Sequence, residues 1–141
     1  DDVLPENIGE DSVSFLPELL GEGKNDIDRG GIVHHSDAGF FAIRKGKWKL
    51  IFHENAGSRR VDPKDKPVIN PGEIQLFNME TDAIESTNVA AQNIDIVEDL
   101  KKLMAKFINE GRSTVGKSQK NDPTLKGWKN VSHFESYLKI N

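Results

Sequence analysis

The sequence contains no cysteine, which excludes disulfides, thiolate zinc sites and cysteine nucleophiles at the outset. It also lacks any apolar run of membrane-spanning length, and the opening Asp1-Asp2-Val3-Leu4-Pro5 has neither the basic nor the apolar region of a secretory signal. A soluble chain with no membrane partner is the expectation. An excess of positive charge is missing too, since 19 Lys and Arg against 23 Asp and Glu give a formal net charge of -4. Neutralising nucleic-acid phosphates takes a surface surplus of Lys and Arg, so nucleic acid is not the expected partner.

What is present suits one small domain: 141 residues, 35% hydrophobic and 30% charged, suffice for a single core and not for two. The charge is unevenly spread. Arg44, Lys45, Lys47, Lys49, Arg59, Arg60, Lys64 and Lys66 make the middle of the chain basic, whereas Asp1 to Asp28 and Glu80 to Glu98 are acidic. That asymmetry leaves a small anionic partner open.

Phe40 to Phe52 carries the clearest local signal. Phe41 and Ile43 fall on one face of a first strand, Trp48, Leu50 and Phe52 on one face of a second, and Lys47 and Lys49 on the other. This period of two predicts a hairpin turning at Lys45-Gly46, with Gly46 supplying the positive φ of a tight turn. Ile32-Val33-His34-His35 predicts a strand entering the same sheet, after a loop-like Gly21 to Gly31, and Glu73 to Asn78 predicts the last strand, with Ile74 and Leu76 sharing a side. Between them His53 to Gly72, with Pro63, Pro67 and Pro71, reads as a long loop.

Asn93 or Asp95 is placed to cap a helix from about Ile94 to Asn109. Val97, Leu100, Leu103, Met104, Phe107 and Ile108 form its apolar stripe, Glu98, Asp99, Lys101, Lys102 and Lys106 face out, and Gly111 ends it. A shorter helix, capped by Asp11 or Ser12 and carrying Val13, Leu16, Leu19 and Leu20, is expected upstream. The fold expected is α+β: a small antiparallel sheet of about four strands against one long C-terminal helix, followed by a tail in which Trp128, Phe134, Tyr137, Leu138 and Ile140 pack.

The hairpin string Phe41-Ala42-Ile43-Arg44, Gly46, Trp48-Lys49-Leu50-Ile51 resembles the C-terminal subdomain of sulfatases, the sulfate-ester hydrolases of the alkaline phosphatase superfamily. Asp11-Ser12-Val13-Ser14-Phe15-Leu16-Pro17-Glu18-Leu19-Leu20-Gly21 is similar to the family's Asp-Gly/Ser-x-Ser-Leu-Leu-Pro segment, and Leu76-Phe77-Asn78-Met79-Glu80-Thr81-Asp82 to its Leu-Tyr-Asp-Leu-x-x-Asp. Asn88-Val89-Ala90 stands where Asn-Leu-Ala is usual, and Gly111-Arg112-Ser113-Thr114-Val115-Gly116 resembles a Gly-Arg-Ser-Thr-Pro-Gly run of bacterial members. These landmarks keep family order within Leu4 to Asp122. By this resemblance residues 1–22 are the end of a catalytic domain, 23–122 the C-terminal subdomain and 123–141 a tail.

The resemblance implies a parent that hydrolyses sulfate esters with a formylglycine and a divalent cation, commonly calcium. The Cys/Ser-x-Pro-x-Arg motif that supplies the nucleophile is absent, so no catalytic or metal-binding residue and no cofactor is expected here. An N-terminal catalytic domain is the implied partner, with a sulfated glycan or an aryl sulfate as possible substrate. The end of the first strand lies near the family's active-site cleft, which makes His34, His35 and Ser36 candidates for substrate contact. Arg59 and Arg60 are a second candidate pair, because guanidinium groups bind sulfate and carboxylate bidentately. Adjacent strand residues point to opposite faces, so His34 and His35 are not expected to share a metal ion. A stand-alone module binding an anionic glycan or a protein is the alternative, and a related phosphoesterase or phosphonate hydrolase parent is a third. The Gly111 to Gly116 run lacks the Gly-Lys-Ser/Thr ending of a phosphate loop.

Overall fold

A computed structural model describes residues 5, 8–22, 29–54, 68–70, 72–121, 128 and 131–139. Four strands, β1 (Ile32–His35), β2 (Phe41–Lys45), β3 (Trp48–Ile51) and β4 (Gln75–Asn78), form one sheet in the order β1-β2-β3-β4. Every neighbouring pair is antiparallel. Two helices, α1 (Leu16–Leu19) and α2 (Ile94–Glu110), flank the sheet in sequence. The α+β architecture expected from the residue pattern is the one observed.

The hairpin register moves the turn by one residue. Lys45 pairs with Trp48, so the two turn residues are Gly46 and Lys47, and only Gly46 has a positive φ, at 56°. Glycine at the first central position is the preference of a type II′ turn, whose twist suits the flanking strands. Ile43, Leu50 and Leu76 then align across β2, β3 and β4 on one face and are fully buried. Against that face α2 lays Val97, Leu100, Met104, Phe107 and Ile108, each at most 8% exposed.

α2 ends as its sequence requires. Gly111 takes the left-handed conformation, and the N–H groups of Gly111 and Arg112 donate to the carbonyls of Ile108 and Phe107, the pairing of a Schellman cap. Its start differs from expectation: Asn93 occupies the N-cap position without a side-chain cap and its amide donates instead to the Val89 carbonyl, while Asp95 lies in the first turn. The polar face of α2 is partly covered as well. Tyr137 donates its hydroxyl to Glu98, which also pairs with Lys101, and the Lys101 side chain is only 18% exposed.

The C-terminal tail packs on this same core. Phe134 is fully buried, with its ring edge-on to Phe52 at 4.8 Å between centroids. The second face of the sheet is also partly buried: Ala42, Ile51 and Phe77 form a small cluster with Val68 and Met79 against it. Alternation alone assigns that face to Lys47 and Lys49, because its burial depends on Val68 before β4 and Met79 after it, which the periodicity of the hairpin does not report.

α1 is one turn long, with Phe15 at its N-cap position and no side-chain cap. Asp11 does not cap it. The Asp11 carboxylate instead accepts from the Ser113 N–H and hydroxyl at 2.6 and 2.7 Å, and the Thr114 hydroxyl donates to the Glu10 carbonyl. A charged oxygen that already takes two donors 102 residues away is unavailable to its own helix. Phe15, Leu16, Leu19 and Leu20 are all more than half exposed.

Candidate functional site

β1 is an edge strand, and its exposed positions carry the histidines. His34 pairs with Ala42 and His35 with Phe41, so the two rings project to opposite faces, as strand geometry demands. His35 Nδ1 lies 3.1 Å from the Ser36 carbonyl. Ser36 closes the connection to β2: its N–H donates to the Phe40 carbonyl, its carbonyl accepts from Gly39 N–H, and its hydroxyl oxygen accepts from Phe40 N–H at 3.3 Å. His34, His35 and Ser36 are thus adjacent along the chain but do not converge on one point.

His34 acquires neighbours that sequence order did not suggest. Partial desolvation, followed by the positive charges of Lys49 and Arg44, lowers its pKa, against a smaller opposing effect of Glu85. Lys49 is itself held by Glu85, with Nζ to Oε1 at 2.5 Å. The arrangement keeps the His34 imidazole neutral at neutral pH, a hydrogen-bonding group rather than a cation. Lys49 and Glu85 went unnoticed as site residues because the link between β1, β3 and the loop after β4 exists only once the register is known. Arg59 and Arg60 lie outside the described residues.

A second feature is a cavity of about 350 Å³ between the strand entering the sheet and the C-terminal end of α2. Phe41, Phe107 and Trp128 supply its apolar wall, and Asp11, Ser113 and Arg112 its polar side. Arg112 is 9% exposed. Its guanidinium donates to the carbonyls of Thr114, Val115 and Lys117 and to the Thr114 hydroxyl. The Gly111–Gly116 run is therefore wound around its own arginine. Those four hydrogen bonds are made within the loop that carries the arginine.

Among the described residues no three His, Asp or Glu side chains converge as a metal site would require. No helix among them is long and apolar enough to cross a membrane.

Comparison with known proteins supplies the rest. The chain is 33% identical over 110 residues to an N-acetylgalactosamine-6-O-sulfatase of Bacteroides thetaiotaomicron, covering 72% of this chain and 19% of the relative. It also superposes, with a TM-score of 0.52 and 29% identity, on a solved sulfatase structure from work on the metabolism of multiple glycosaminoglycans by Bacteroides thetaiotaomicron, covering 74% of this chain and 21% of that one. This chain resembles a sulfatase subdomain. No family model matches it. The chain spans about a fifth of the length of the sulfatases it matches. The resemblance drawn from the hairpin and its flanking motifs thus recurs in both the sequence and the structural comparison.

Proposed function

We propose that this chain is the C-terminal subdomain of a sulfatase, 23–122 forming the subdomain proper, 1–22 the end of the catalytic domain and 123–141 a tail. The observation that carries the proposal is the sulfatase similarity over a fifth of the relatives' length, joined to the absence of the Cys/Ser-x-Pro-x-Arg nucleophile motif from all 141 residues. Hydrolysis of the sulfate ester, and any calcium ion assisting it as a Lewis acid, belong to the remainder of such a protein. The catalytic portion of the parent is the partner against which the exposed apolar residues of α1 would pack.

In this reading the chain contributes packing and substrate selection. His34, neutral and at the exposed edge of the sheet, offers hydrogen bonds to the sugar or aryl part of a substrate. His35, Ser36, Arg59 and Arg60 are the further candidate contacts. A sulfated glycan is the substrate class that the relatives' names suggest.

The test is hydrolysis of a chromogenic aryl sulfate with added calcium, comparing the 141-residue chain with the full reading frame that contains it. Turnover by the full frame and none by the chain is the expected result. Turnover by the chain alone would sink the proposal, because it would require a nucleophile these residues do not contain.

A further inference from the structure

Two segments 102 residues apart in sequence meet beside the C-terminal end of α2. Asp11 Oδ1 accepts from the Ser113 N–H at 2.6 Å and from the Ser113 hydroxyl at 2.7 Å, and the Thr114 hydroxyl donates to the Glu10 carbonyl. Each side has its own internal support. Residues 9–12 form a turn closed by the Ser12 N–H on the Gly9 carbonyl at 2.8 Å, which puts Glu10 and Asp11 at its tip. Opposite them the loop is wound on Arg112, and a Cβ at Gly116 would run into that guanidinium. Arg112 also fixes the direction of the contact. It donates to the Thr114 hydroxyl oxygen at 3.1 Å, so the Thr114 proton is left for Glu10.

α1 follows within a few residues. Val13, between the two, lines the cavity walled by Phe107 and Trp128. The helix itself is one turn long with no buried residue, and a single helical turn is not stable by itself in water. Phe15, Leu16, Leu19 and Leu20 are 56 to 69% exposed, so a short helix turns four large apolar side chains to solvent just beyond a charged hydrogen-bonded contact.

We infer that the 111–114 loop is a carboxylate clasp for the 9–11 turn, and that it sets the position from which α1 presents its apolar side chains to the catalytic portion of the parent. Asp11 and Ser113 are then positioning residues at the junction of the two parts. The partner rests on the sulfatase reading above, in which residues 1–22 belong to the catalytic side and the chain spans about a fifth of its relatives' length. The clasp stands on the hydrogen bonds alone. A second copy of this chain is the competing occupant of the α1 face.

The experiment is amide hydrogen exchange, first in the 141-residue chain and then in the full reading frame. In the chain, Asp11→Ala should speed exchange at Ser113 and at Leu19 and Leu20 of α1 roughly tenfold, the scale of one lost charge-assisted hydrogen bond. The Met104 amide in α2 should not move, which shows that the fold is kept. Asp11→Asn, whose amide oxygen still accepts, and Ser113→Ala, which keeps its N–H, should each give part of the effect. Asp99→Ala removes an exposed carboxylate elsewhere and should give none. In the full frame the α1 amides should exchange more slowly than in the chain, and Asp11→Ala should remove part of that gain. Unchanged exchange at Ser113 in Asp11→Ala overturns the clasp, and a faster Ser113 with α1 unmoved overturns its hold on the helix. Equal α1 exchange in chain and full frame, or α1 protection that rises with the concentration of the isolated chain, overturns the catalytic portion as partner. Failure here with aryl sulfate hydrolysis intact in the full frame overturns this inference alone; the expected exchange pattern without hydrolysis overturns the sulfatase reading alone.

Discussion

The two edges of the sheet are finished in different ways. At β4 a side chain stands in for the missing strand: Asn88 accepts from Leu76 N–H at 2.9 Å, donates to the Ile74 carbonyl at 3.1 Å and accepts from Ala90 N–H at 3.0 Å, while Val89 N–H donates to the Leu76 carbonyl. Asn88 is 6% exposed. At β1 no such closure exists among the described residues, and His34, His35 and Ile32 face water. An unpaired edge is a template for association unless it is blunted. One edge is therefore shut by hydrogen bonding, and the other is open among the described residues.

Removing the Asn88 amide is the change with the largest expected effect on this contrast. Asn88→Ala leaves the buried Leu76 N–H and the part-buried Ile74 carbonyl without this partner, a loss of about 2 to 3 kcal/mol. Chemical denaturation should report it, with faster hydrogen exchange at Leu76. A loss below about 0.5 kcal/mol, the range of ordinary surface changes, would mean that the edge is not held by this residue.

Behind Asn88 stands Asp82, whose carboxylate accepts from Ser86 N–H, Ser86 hydroxyl and Thr87 N–H at 2.8 to 2.9 Å. The Ser86 N–H, foremost, holds its pKa below the ordinary carboxylate value. Asp82→Ala should cost about 1 to 2 kcal/mol, as loss of a side-chain cap does. The sign with pH follows from linkage: the lowered pKa contributes stability that is present above the unfolded-state value and lost as pH falls through the folded one. Acid titration of Asp82→Asn should show a shallower loss below about pH 4. Glu98, lowered mainly by Lys101 and then by Tyr137, keeps its own share, so the slope should flatten without vanishing.

Next in size is an effect at the root of the open edge. A Cβ at Gly31 would meet Leu103 Cδ2 at 3.1 Å, the Arg44 carbonyl at 3.3 Å and Phe107 at 3.4 Å. Leu103 can turn aside, whereas the β2 carbonyl is fixed by its ladder. Gly31→Ala is expected to cost about 1 kcal/mol of overpacking, read from a thermal melt. A stabilised variant would show instead that β1 shifts freely on α2.

Most of the framework was legible because it obeys short periods. Phe41 and Ile43, Trp48 and Leu50, and the Val97 to Ile108 stripe each state their buried face in their spacing. What escaped sequence reading was long-range and polar. Asp11 has the composition of a helix cap, yet it binds Ser113, and nothing local to residue 11 announces a partner at residue 113. Asn88 looked like one letter of a family motif and is a buried edge closure. Arg112 looked like a member of a glycine-rich loop and is the post around which that loop is wound. Gly31 looked like loop punctuation, and it is a contact point of strand and helix. Of the candidate contacts, His34 and His35 were rightly placed on opposite faces, but the Lys49 and Glu85 charges beside His34 required the register of three strands.

The smallest predicted effect probes the open edge itself. Lys49 and Arg44 face His34, with Glu85 opposing them, and a histidine whose folded pKa is lowered resists protonation in the fold. Its contribution is complete above the unfolded value of about 6.5 and is lost as pH falls through that value towards the folded one. His133 is lowered too, chiefly by burial and despite Glu73, and adds a loss of the same sign. His34→Gln should therefore remove part of the decline in stability between pH 7 and 5 measured by chemical denaturation, and His34→Gln with His133→Gln a larger part. An undiminished decline in the double variant would mean that the fold does not hold these two imidazoles neutral.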